Sequence, residues 1–414
     1  MKKLLIISNN VLSYTNNNGK TILSFINGVK NLEVAQLYLS GERPKVSGYS
    51  YFQISDKDII KGLFCTKKRG REYNSVVSNK TNDDFSIKKA VGRNDCTLAI
   101  RDILWWKKWK SKQLLHWLDN FSPDAILFVA GDSLFAYTIC EFIKLRYNSK
   151  LSVYVTDDYI MSRKNEKTLH FIRRQAIIKR LKHILRLTST FFTISEPMRR
   201  AYKKVLGVDS SLLFNMVDDM YDESYKKKEP EIILTYAGSF YYKRAEILGE
   251  VARAVGEYNK DNRYSRAKLM LYSNEEPNET VKREIVIPGA SEYGGSLTQE
   301  QLKERLNTSD FLVFVESFGQ EQIEKVKYSF STKVPEYMSI GKPIIAIGPQ
   351  VVGSMNYLRD IALCINDRKK IKSEIERIIK NENICRLYSQ KSRNKYLLKH
   401  SPKVLQEEFI RLVL

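Results

Sequence analysis

Four residues whose types could bind a nucleotide, Ser331, Thr332, Lys333 and Glu336, lie within the sequence STKVPEYMSIGKPII. The pattern predicts a short helix that begins beside them, and the free N–H groups and positive dipole end of a helix start favour a phosphate. Lys333 adds a full positive charge, and Glu336 lies one turn later, where its carboxylate can accept hydrogen bonds from a ribose diol. Each residue also has a purely structural interpretation, since Ser and Thr cap helices and Glu favours the first turn.

A helix from about Val334 that stops at Gly341, followed by a buried strand over 343–347, must position these residues. Apolar runs of this kind alternate with amphipathic stretches along the chain, which is typical of βα units and a parallel sheet. The other strands are predicted at 4–8, 34–39, 125–129, 151–156, 190–194, 232–237, 268–272, 285–287, 311–315 and 362–365.

A polar stretch over 218–231 separates two such series, so the sequence predicts an α/β protein with two doubly wound domains. We place the N-terminal domain at 1–215 and the C-terminal, donor-binding domain at 230–395, and expect a final helix at 400–414 to return to the first. Between 67 and 95 the sequence is polar and without periodicity, which predicts a long surface loop. Ligands in such sheets bind at the carboxyl ends of the strands.

The pattern STKxPEYxxxGKPIIAxGP resembles the donor-nucleotide signature of retaining GT-B glycosyltransferases of the family-4 type. Further segments fit in the same order, so the resemblance extends over nearly the whole chain. They are NNGKT around Gly19, TISEPM at 193–198, YAGSF around Gly238 with Lys243 and Arg244 after it, and GGSL with Ser296 and Leu297. The resemblance implies two Rossmann-like domains that face a central cleft.

The resemblance also implies roles for these segments. Gly19 is expected in a glycine loop near the donor phosphates, and Lys243 and Arg244 are expected to hold the diphosphate. Ser296 and Leu297 would bracket the base. The arginine that often follows the glycine of the Gly238 turn is Ser239 here, so phosphate charge would fall to Lys243, Arg244 and Lys333.

The resemblance is imperfect at the first of two family glutamates, which usually have seven residues between them. Glu316 opens the sequence ESFG, a common spelling of that element, but Glu336 follows with 19 residues between, and Tyr328 occupies the strict-spacing position. Either the loop carries an insertion and Glu316 still contacts the donor sugar, or the first glutamate has been lost. We favour the insertion, which makes Glu316 a candidate catalytic residue.

A second candidate catalytic residue, Asp132, follows the predicted strand at 125–129 in the sequence AGDS. Family relatives often place a histidine near this point, and Asp132 could substitute as an acceptor-orienting group or a weak base. The alternative is that Asp132 caps the next helix. The resemblance implies transfer without a protein nucleophile, because the leaving diphosphate, stabilised by cations, would help to accept the proton of the acceptor.

The net charge of +22 is divided unevenly, which predicts a polyanionic partner for the first half of the chain. Residues 1–228 hold 40 Lys and Arg against 22 Asp and Glu, whereas residues 229–414 hold 29 against 25. Residues 163–186 carry nine basic residues and only Glu166 as an acid, in a predicted helix over about 165–187. Near an anionic bilayer each basic residue contributes about 1 kcal/mol.

All four tryptophans fall within 105–117, beside several lysines, as suits a membrane interface. A single helix here would put Ile103, Trp106, Leu114 and Trp117 on the core face. We therefore expect Trp105 and Trp109 to dock on an anionic membrane. The basic residues expected to join them are Arg173, Arg174, Lys179 and Arg180.

The sequence thus favours a glycosyltransferase that moves a sugar from a nucleotide-diphosphate sugar to a lipid-linked glycan acceptor. The five scattered cysteines and four scattered histidines predict reduced thiols and no metal or other cofactor. We expect a cytoplasmic protein, peripheral on the inner face of the plasma membrane, that acts in surface-polysaccharide synthesis. A nucleotide-sugar 2-epimerase of the same fold is the first alternative. A nucleic-acid-binding protein rests on charge alone, and we expect no nucleic-acid partner.

Overall fold

A computed structural model of the chain describes residues 1–14, 17–64, 69–73, 94–227, 230–262 and 264–414. It divides the chain into two compact units. The first comprises Met1–Ile194, Met198–Leu213 and Leu405–Leu414, and the second comprises Ser195–Pro197 and Phe214–Val404. Each unit contains one largely parallel sheet with helices around it, as the alternation of apolar runs predicts.

The first unit is built on an eight-stranded sheet of order β4-β3-β2-β1-β5-β6-β7-β8, in which only the β3–β4 pair is antiparallel. Its strands are β1 (Lys2–Ser8), β2 (Leu32–Tyr38), β3 (Ser50–Gln53), β4 (Arg71–Tyr73), β5 (Ala125–Ala130), β6 (Lys150–Val155), β7 (Thr190–Thr193) and β8 (Ser211–Leu212). Its helices are α1 (Asn17–Ile26), α2 (Asp56–Phe64), α3 (Asp95–Trp105), α4 (Lys112–Phe121), α5 (Leu134–Tyr147), α6 (Thr168–Leu185), most of α7 (Glu196–Leu206) and most of α16 (Pro402–Val413).

The order of this sheet reverses between β1 and β5, which are parallel neighbours at its centre. Leu4, Leu5, Ile6 and Ile7 of β1 are fully buried, which explains the unbroken apolar run, since helices cover a parallel sheet on both faces. The C-terminal helix α16 packs on this unit through Phe409, whose ring stacks on that of Phe25 at 5.1 Å.

The second unit has a six-stranded, wholly parallel sheet of order β11-β10-β9-β12-β13-β14. Its strands are β9 (Ile232–Ala237), β10 (Ala267–Tyr272), β11 (Ser291–Tyr293), β12 (Phe311–Val315), β13 (Ile344–Ile347) and β14 (Leu363–Ile365). Its helices are α8 (Arg244–Asp261), α9 (Glu279–Ile285), α10 (Gln299–Thr308), α11 (Gln320–Val326), α12 (Lys333–Ile340), α13 (Gly353–Leu358), α14 (Ile371–Ile379) and α15 (Glu382–Lys399), with a 3₁₀ turn at Arg368–Lys370.

Several predicted elements differ from the structure. The strand expected at 285–287 is wrong, because residues 279–285 form helix α9, whose start is capped by the Asn278 side chain, and the strand is Ser291–Tyr293. Within the predicted loop at 67–95, residues 71–73 form β4 on the edge of the sheet. Residues 67, 68 and 74–93 of that prediction lie outside the described residues. Strands β3 and β8 were not predicted, since both are short.

The tryptophan segment is not one helix, so the prediction that Trp105 and Trp109 face a membrane is wrong. Helix α3 ends at Trp105, and Lys107 takes a left-handed backbone conformation with φ 52° before α4 begins. This break buries Trp105 completely against Phe135 and leaves Trp109 only 4% exposed. Trp106, which was predicted to face the core, is instead 61% exposed.

Two of the basic residues expected to dock on a membrane are also buried. The guanidinium of Arg173 donates to Asp102 Oδ2 of α3 at 2.8 Å, and Arg174 forms a two-pronged pair with Glu166 at 2.7 Å. Both arginines therefore serve internal ion pairs, and their assignment to the membrane is wrong. Lys179 is exposed and Arg180 is half-exposed on the same helix. On this helix Leu181 and Ile184 are buried, whereas Ile172 is exposed.

Two further findings concern thiols and membrane spans. Cys96, Cys140, Cys364 and Cys385 are free thiols, and Cys65 lies outside the described residues. In the part of the chain that the structure describes, no helix combines the length and apolar character needed to cross a bilayer.

The contrast between neighbouring tryptophans yields a stability prediction. Trp105→Ala removes a ring stacked at 4.1 Å on Phe135 and an indole N–H that donates to Asp56, and should lower the free energy of unfolding of the first unit by about 3–5 kcal/mol. Trp106→Ala, the matched control, should change it by less than about 0.5 kcal/mol. Urea unfolding followed by circular dichroism measures both, and equal losses would contradict the break in the helix.

Candidate functional site

In the second unit, the order of the sheet reverses between β9 and β12, and an ion pair joins the loops that follow these two strands. Arg244, the first residue of α8, donates from Nη2 to both carboxylate oxygens of Glu316 at 3.0 and 2.9 Å, and from Nε at 3.1 Å. Glu316 directly follows β12 and is buried. The point of reversal is where open α/β sheets bind ligands, so this pair marks the candidate site.

Lys333 lies against the turn around Gly238, which follows β9. Its Nζ is 4.7 Å from the centre of the Tyr236 ring and donates to the Tyr236 hydroxyl at 3.4 Å. The space that it occupies exists because residue 238 is glycine, since a Cβ there would lie 1.5 Å from Nζ and 2.3 Å from Cε. The glycine of the predicted phosphate turn therefore makes room for a cation.

Helix α12 holds Lys333 in this position. The helix begins at Lys333 and is joined to the end of β9 by the Tyr337 hydroxyl, which accepts a hydrogen bond from the Ala237 N–H at 3.1 Å. Its first turn is anchored from the other side by the Ser331 N–H, which donates to Ser354 Oγ at 2.9 Å. The start of the helix and the Gly238 turn thus form one structural element.

The electrostatics of the site favour an anion. Loss of water on burial and the nearby positive charge of Arg244 lower the pKa of Lys333 to about 8, against the opposing effect of Glu316 and Glu336. Burial raises the pKa of the Glu316 carboxyl, and Arg244 opposes that rise. A phosphate beside Lys333 would stabilise its protonated form, because an opposite charge favours the charged state.

The other predicted donor residues of this helix have the following positions. Thr332 is exposed at the N-cap and makes no side-chain cap hydrogen bond, and Ser331 is half-buried beside it. Glu336 lies half-buried in the first turn, close enough to influence the pKa of Lys333. The structure therefore brings Gly238, Lys333, Arg244 and Glu316 together, with Glu336 next to them.

Lys243, Ser296 and Leu297 belong to the same unit but have other contacts. Lys243 is exposed, adopts φ 59°, and its Nζ lies 3.7 Å from Glu246 of α8. The Ser296 hydroxyl donates to Asn274 Oδ1 at 3.4 Å, beyond the end of β10, and Leu297 is half-buried. Their predicted contacts with a diphosphate and a base stay predictions.

In the first unit, Asp132 follows β5 at the carboxyl edge of the sheet, beside the point where its order reverses. Its side chain is buried, and its carbonyl accepts a hydrogen bond from Arg173 at 2.8 Å. The first N–H of α5, at Leu134, donates to Asp102 Oδ1 at 2.8 Å. Both interpretations of Asp132, as a cap of the helix start and as an acceptor-facing group, stay predictions.

Gly19 does not lie in a loop, so that part of the prediction is wrong. It is the third residue of α1, where a Cβ would meet the Val11 carbonyl oxygen at 2.3 Å. The residue must be glycine because the start of the helix approaches the backbone of the preceding segment closely. Residues 15 and 16, immediately before the helix, lie outside the described residues.

Sequence reasoning missed three kinds of residue around these sites. Tyr236 stood within the YAGSF element, but a strand pattern does not distinguish its hydroxyl from an apolar side chain. Tyr337 was likewise hidden in the helix pattern. In the first unit, buried Arg101 of α3 donates to Asp56 at 2.7 Å and to Ser133 at 3.1 Å, an arrangement that only the fold brings together.

Within the described ranges, no group of three or more His, Cys, Asp and Glu residues lies together in a way that could hold a metal ion.

Comparison with known proteins gives matches in structure alone. No family model matches the chain, and no curated protein matches it in sequence. Similar solved structures include the UDP-forming alpha,alpha-trehalose-phosphate synthase of Burkholderia xenovorans in complex with glucose-6-phosphate, at 9% identity and a TM-score of 0.59 over 99% of each chain. The E. coli trehalose-6-phosphate protein bound with UDP-2-fluoro glucose matches at 12% identity and a TM-score of 0.61, over 99% of this chain and 98% of that chain.

A glycosyltransferase from Rickettsia africae matches at 9% identity and a TM-score of 0.61, over 99% of this chain and 97% of that chain. These neighbours are GT-B glycosyltransferases, and the likeness extends over nearly the full length of each. The chain therefore has the α/β GT-B fold with two parallel-sheet, Rossmann-like units, as predicted. At these identities the likeness establishes the fold and not the reaction.

The space at Gly238 can be tested directly. Gly238→Ala should displace the Lys333 ammonium at little cost in melting temperature, because the displaced atoms end a flexible side chain. Affinity for a nucleoside diphosphate should fall about tenfold or more, since a charged hydrogen bond contributes about 1.5–3 kcal/mol. Gly256→Ala in α8, where the nearest atom is 3.4 Å away, is the matched control and should bind normally. Calorimetry that finds equal affinities would remove Lys333 from the site.

Proposed function

We propose that this chain is a glycosyltransferase, of the hexosyltransferase class, that uses a nucleoside-diphosphate sugar as donor. We further propose that it transfers the sugar with retention of configuration, as the family-4 resemblance implies. The acceptor would be a glycan presented at the inner face of the plasma membrane on a polyprenyl diphosphate, in the synthesis of a surface polysaccharide such as a capsule.

The observation that carries this proposal is the pair of cations at the carboxyl edge of the second sheet. Lys333 lies close enough to Arg244 for that positive charge to help lower the pKa of the lysine. Glu316 is the carboxylate that Arg244 holds. The GT-B fold, which the chain shares with a protein bound with UDP-2-fluoro glucose, supports the choice of a nucleotide sugar as the anion.

The proposed reaction follows from this charge. The bond between the anomeric carbon and the diphosphate oxygen breaks, and the bond electrons leave with the diphosphate, whose negative charge Lys333 and Arg244 stabilise. The acceptor hydroxyl oxygen then bonds to the anomeric carbon of an oxocarbenium-like transition state, and its proton passes to the leaving diphosphate. No metal ion is required in this proposal, because the two side chains supply the positive charge.

Three carboxylates complete the proposed machinery. Glu336 is proposed to accept hydrogen bonds from the ribose, and Glu316 to contact the donor sugar while Arg244 fixes its orientation. Asp132 is proposed to orient the acceptor hydroxyl from the first unit. Its position after β5, at the carboxyl edge of that sheet, supports this role.

The pKa of Lys333 gives a pH prediction with a definite sign. Only the protonated lysine attracts a diphosphate, so affinity should be constant below pH 8 and fall as pH rises through that value. A tenfold loss is expected between about pH 7 and about pH 9. Calorimetry at several pH values checks this, and Lys333→Met should bind weakly with no such dependence. An unchanged slope in Lys333→Met would assign the titration to another group.

The reaction itself is tested by incubating the protein with radiolabelled nucleotide sugars that a thermal-shift screen has selected as ligands. We expect label in a polyprenyl-diphosphate-linked acceptor, with the anomeric configuration of the donor, and equal activity in the presence of EDTA. Lys333→Ala should abolish transfer. Donor turnover in the absence of any acceptor would favour a nucleotide-sugar 2-epimerase, and transfer to a free sugar phosphate would overturn the lipid-linked acceptor.

A further inference from the structure

Five large apolar side chains are exposed on two helices of the first unit. Ile100 and Ile103 of α3, and Trp106 directly after its last residue, recur at a spacing of three, on the side opposite buried Leu98, Arg101 and Trp105. Phe171 and Ile172 lie in the first turn of α6 and are also exposed. We call Ile100, Ile103, Trp106, Phe171 and Ile172 the docking face. Exposed apolar residues in such a group mark interaction surfaces more often than those scattered singly.

The two parts of the docking face belong to helices that contact each other. Asp102 of α3 and Arg173 of α6 form an ion pair at 2.8 Å, so the helices touch at this point. Ile103 follows Asp102 in the chain and Ile172 precedes Arg173, and both isoleucines are exposed beside the contact. The apolar groups of α3 and α6 therefore lie on two helices in contact, and we treat them together as one candidate surface.

Basic residues surround the docking face. Lys107 and Lys110 follow α3, and Lys164 and Lys167 precede α6, all of them exposed, while Lys179 and Lys182 continue the exposed side of α6. Two carboxylates at these helices are paired internally, since Asp102 pairs with Arg173 and Glu166 with Arg174. His170 also contacts Glu166, and His183 contacts Glu141 of α5. The surface therefore combines apolar groups with an excess of positive charge.

We propose that the docking face binds an anionic lipid bilayer, with Trp106 and Ile103 entering the interface and the lysines contacting lipid phosphates. Tryptophan is enriched at this depth of membranes, and lysine pairs an apolar stem with a charged end. Nucleic acid would use the positive charge but leaves the isoleucines without a partner. The proposal replaces Trp105 and Trp109 with the neighbouring side chains that the structure exposes.

The docking face is connected to the proposed acceptor side of the first unit, and in this respect the inference rests on the proposed function. Arg173 Nη2 donates both to Asp102, which precedes Ile103 of the docking face, and to the carbonyl of Asp132, each at 2.8 Å. A bilayer at this face would therefore lie beside the carboxyl edge of the sheet from which Asp132 is proposed to orient the acceptor. A lipid-linked glycan would reach that edge without leaving the membrane.

Intrinsic fluorescence gives a selective readout, because Trp105, Trp109 and Trp117 are buried and Trp106 is exposed. Vesicles of phosphatidylglycerol and phosphatidylcholine should shift the emission to the blue, and pure phosphatidylcholine should shift it less. Trp106→Phe should lose the shift but still co-sediment with anionic vesicles. A full shift in Trp106→Phe would contradict the proposal.

Variants that introduce negative charge test how much the docking face contributes to membrane binding. Ile103→Glu with Trp106→Glu, and separately Lys164→Glu with Lys167→Glu, should each weaken co-sedimentation with anionic vesicles about tenfold or more. Leu398→Glu, on a 68% exposed leucine of the second unit, is the matched control and should bind normally. Binding should also weaken in about 1 M salt.

Equal co-sedimentation of all variants would overturn the proposal. It would also be overturned if the unmodified chain formed a dimer and the double variant Ile103→Glu with Trp106→Glu were monomeric, since the face would then bind a second copy of the chain. These vesicles contain neither donor nor acceptor, so the result does not depend on transfer. A protein that binds vesicles but transfers no sugar would keep the docking face and lose the proposed function. A protein that transfers sugar but does not bind vesicles would keep the proposed transfer reaction and lose the docking face.

Discussion

The ion pair between Arg244 and Glu316 is the interaction on which the second unit's candidate site depends. It joins the start of α8 to the end of β12 across the point where the order of the sheet reverses. A buried pair of this kind adds little net stability, because its partners lose water, but it fixes the geometry of the groups around it. Here it leaves Lys333 as a second cation, held against the Gly238 turn by α12.

In the first unit, buried arginine–carboxylate pairs likewise join elements at the carboxyl edge of the sheet. Arg173 of α6 joins Asp102 of α3 to the carbonyl after β5, and Arg101 joins α3 to Asp56 at the start of α2. Part of the positive charge in residues 1–228 is therefore internal and makes no contribution to surface binding. What remains on the outside of α6 is lysine-rich, which explains why the basic character survives the loss of two arginines to the interior.

The sequence predicted most strands of the two sheets, but it did not predict the break within the tryptophan segment or the buried ion pairs. Strands such as β1, β5 and β12 were found because burial on both faces requires an unbroken apolar run. The tryptophan segment was misassigned because a helical wheel assumes one continuous helix. Lys107 interrupts it with a left-handed backbone conformation, which a sequence usually signals by a glycine and here does not. Arginines 173 and 174 were misassigned because a sequence does not distinguish a paired, buried arginine from a solvated one.

The family motif found Lys333, Arg244 and Glu316 but could not relate them, since Arg244 and Glu316 are 72 residues apart in the chain. Their pairing changes how the site would meet an anion. Under the proposed function, an incoming phosphate would compete with Glu316 for Arg244. Among the described residues, the Lys333 ammonium makes a long hydrogen bond to the Tyr236 hydroxyl and lies over the face of that ring. A cation so placed has lost water without gaining a carboxylate of its own, which is why its pKa is low. Under the proposed function, phosphate recognition at this edge would therefore depend first on Lys333, and on Arg244 only as far as the Glu316 carboxylate is given other partners.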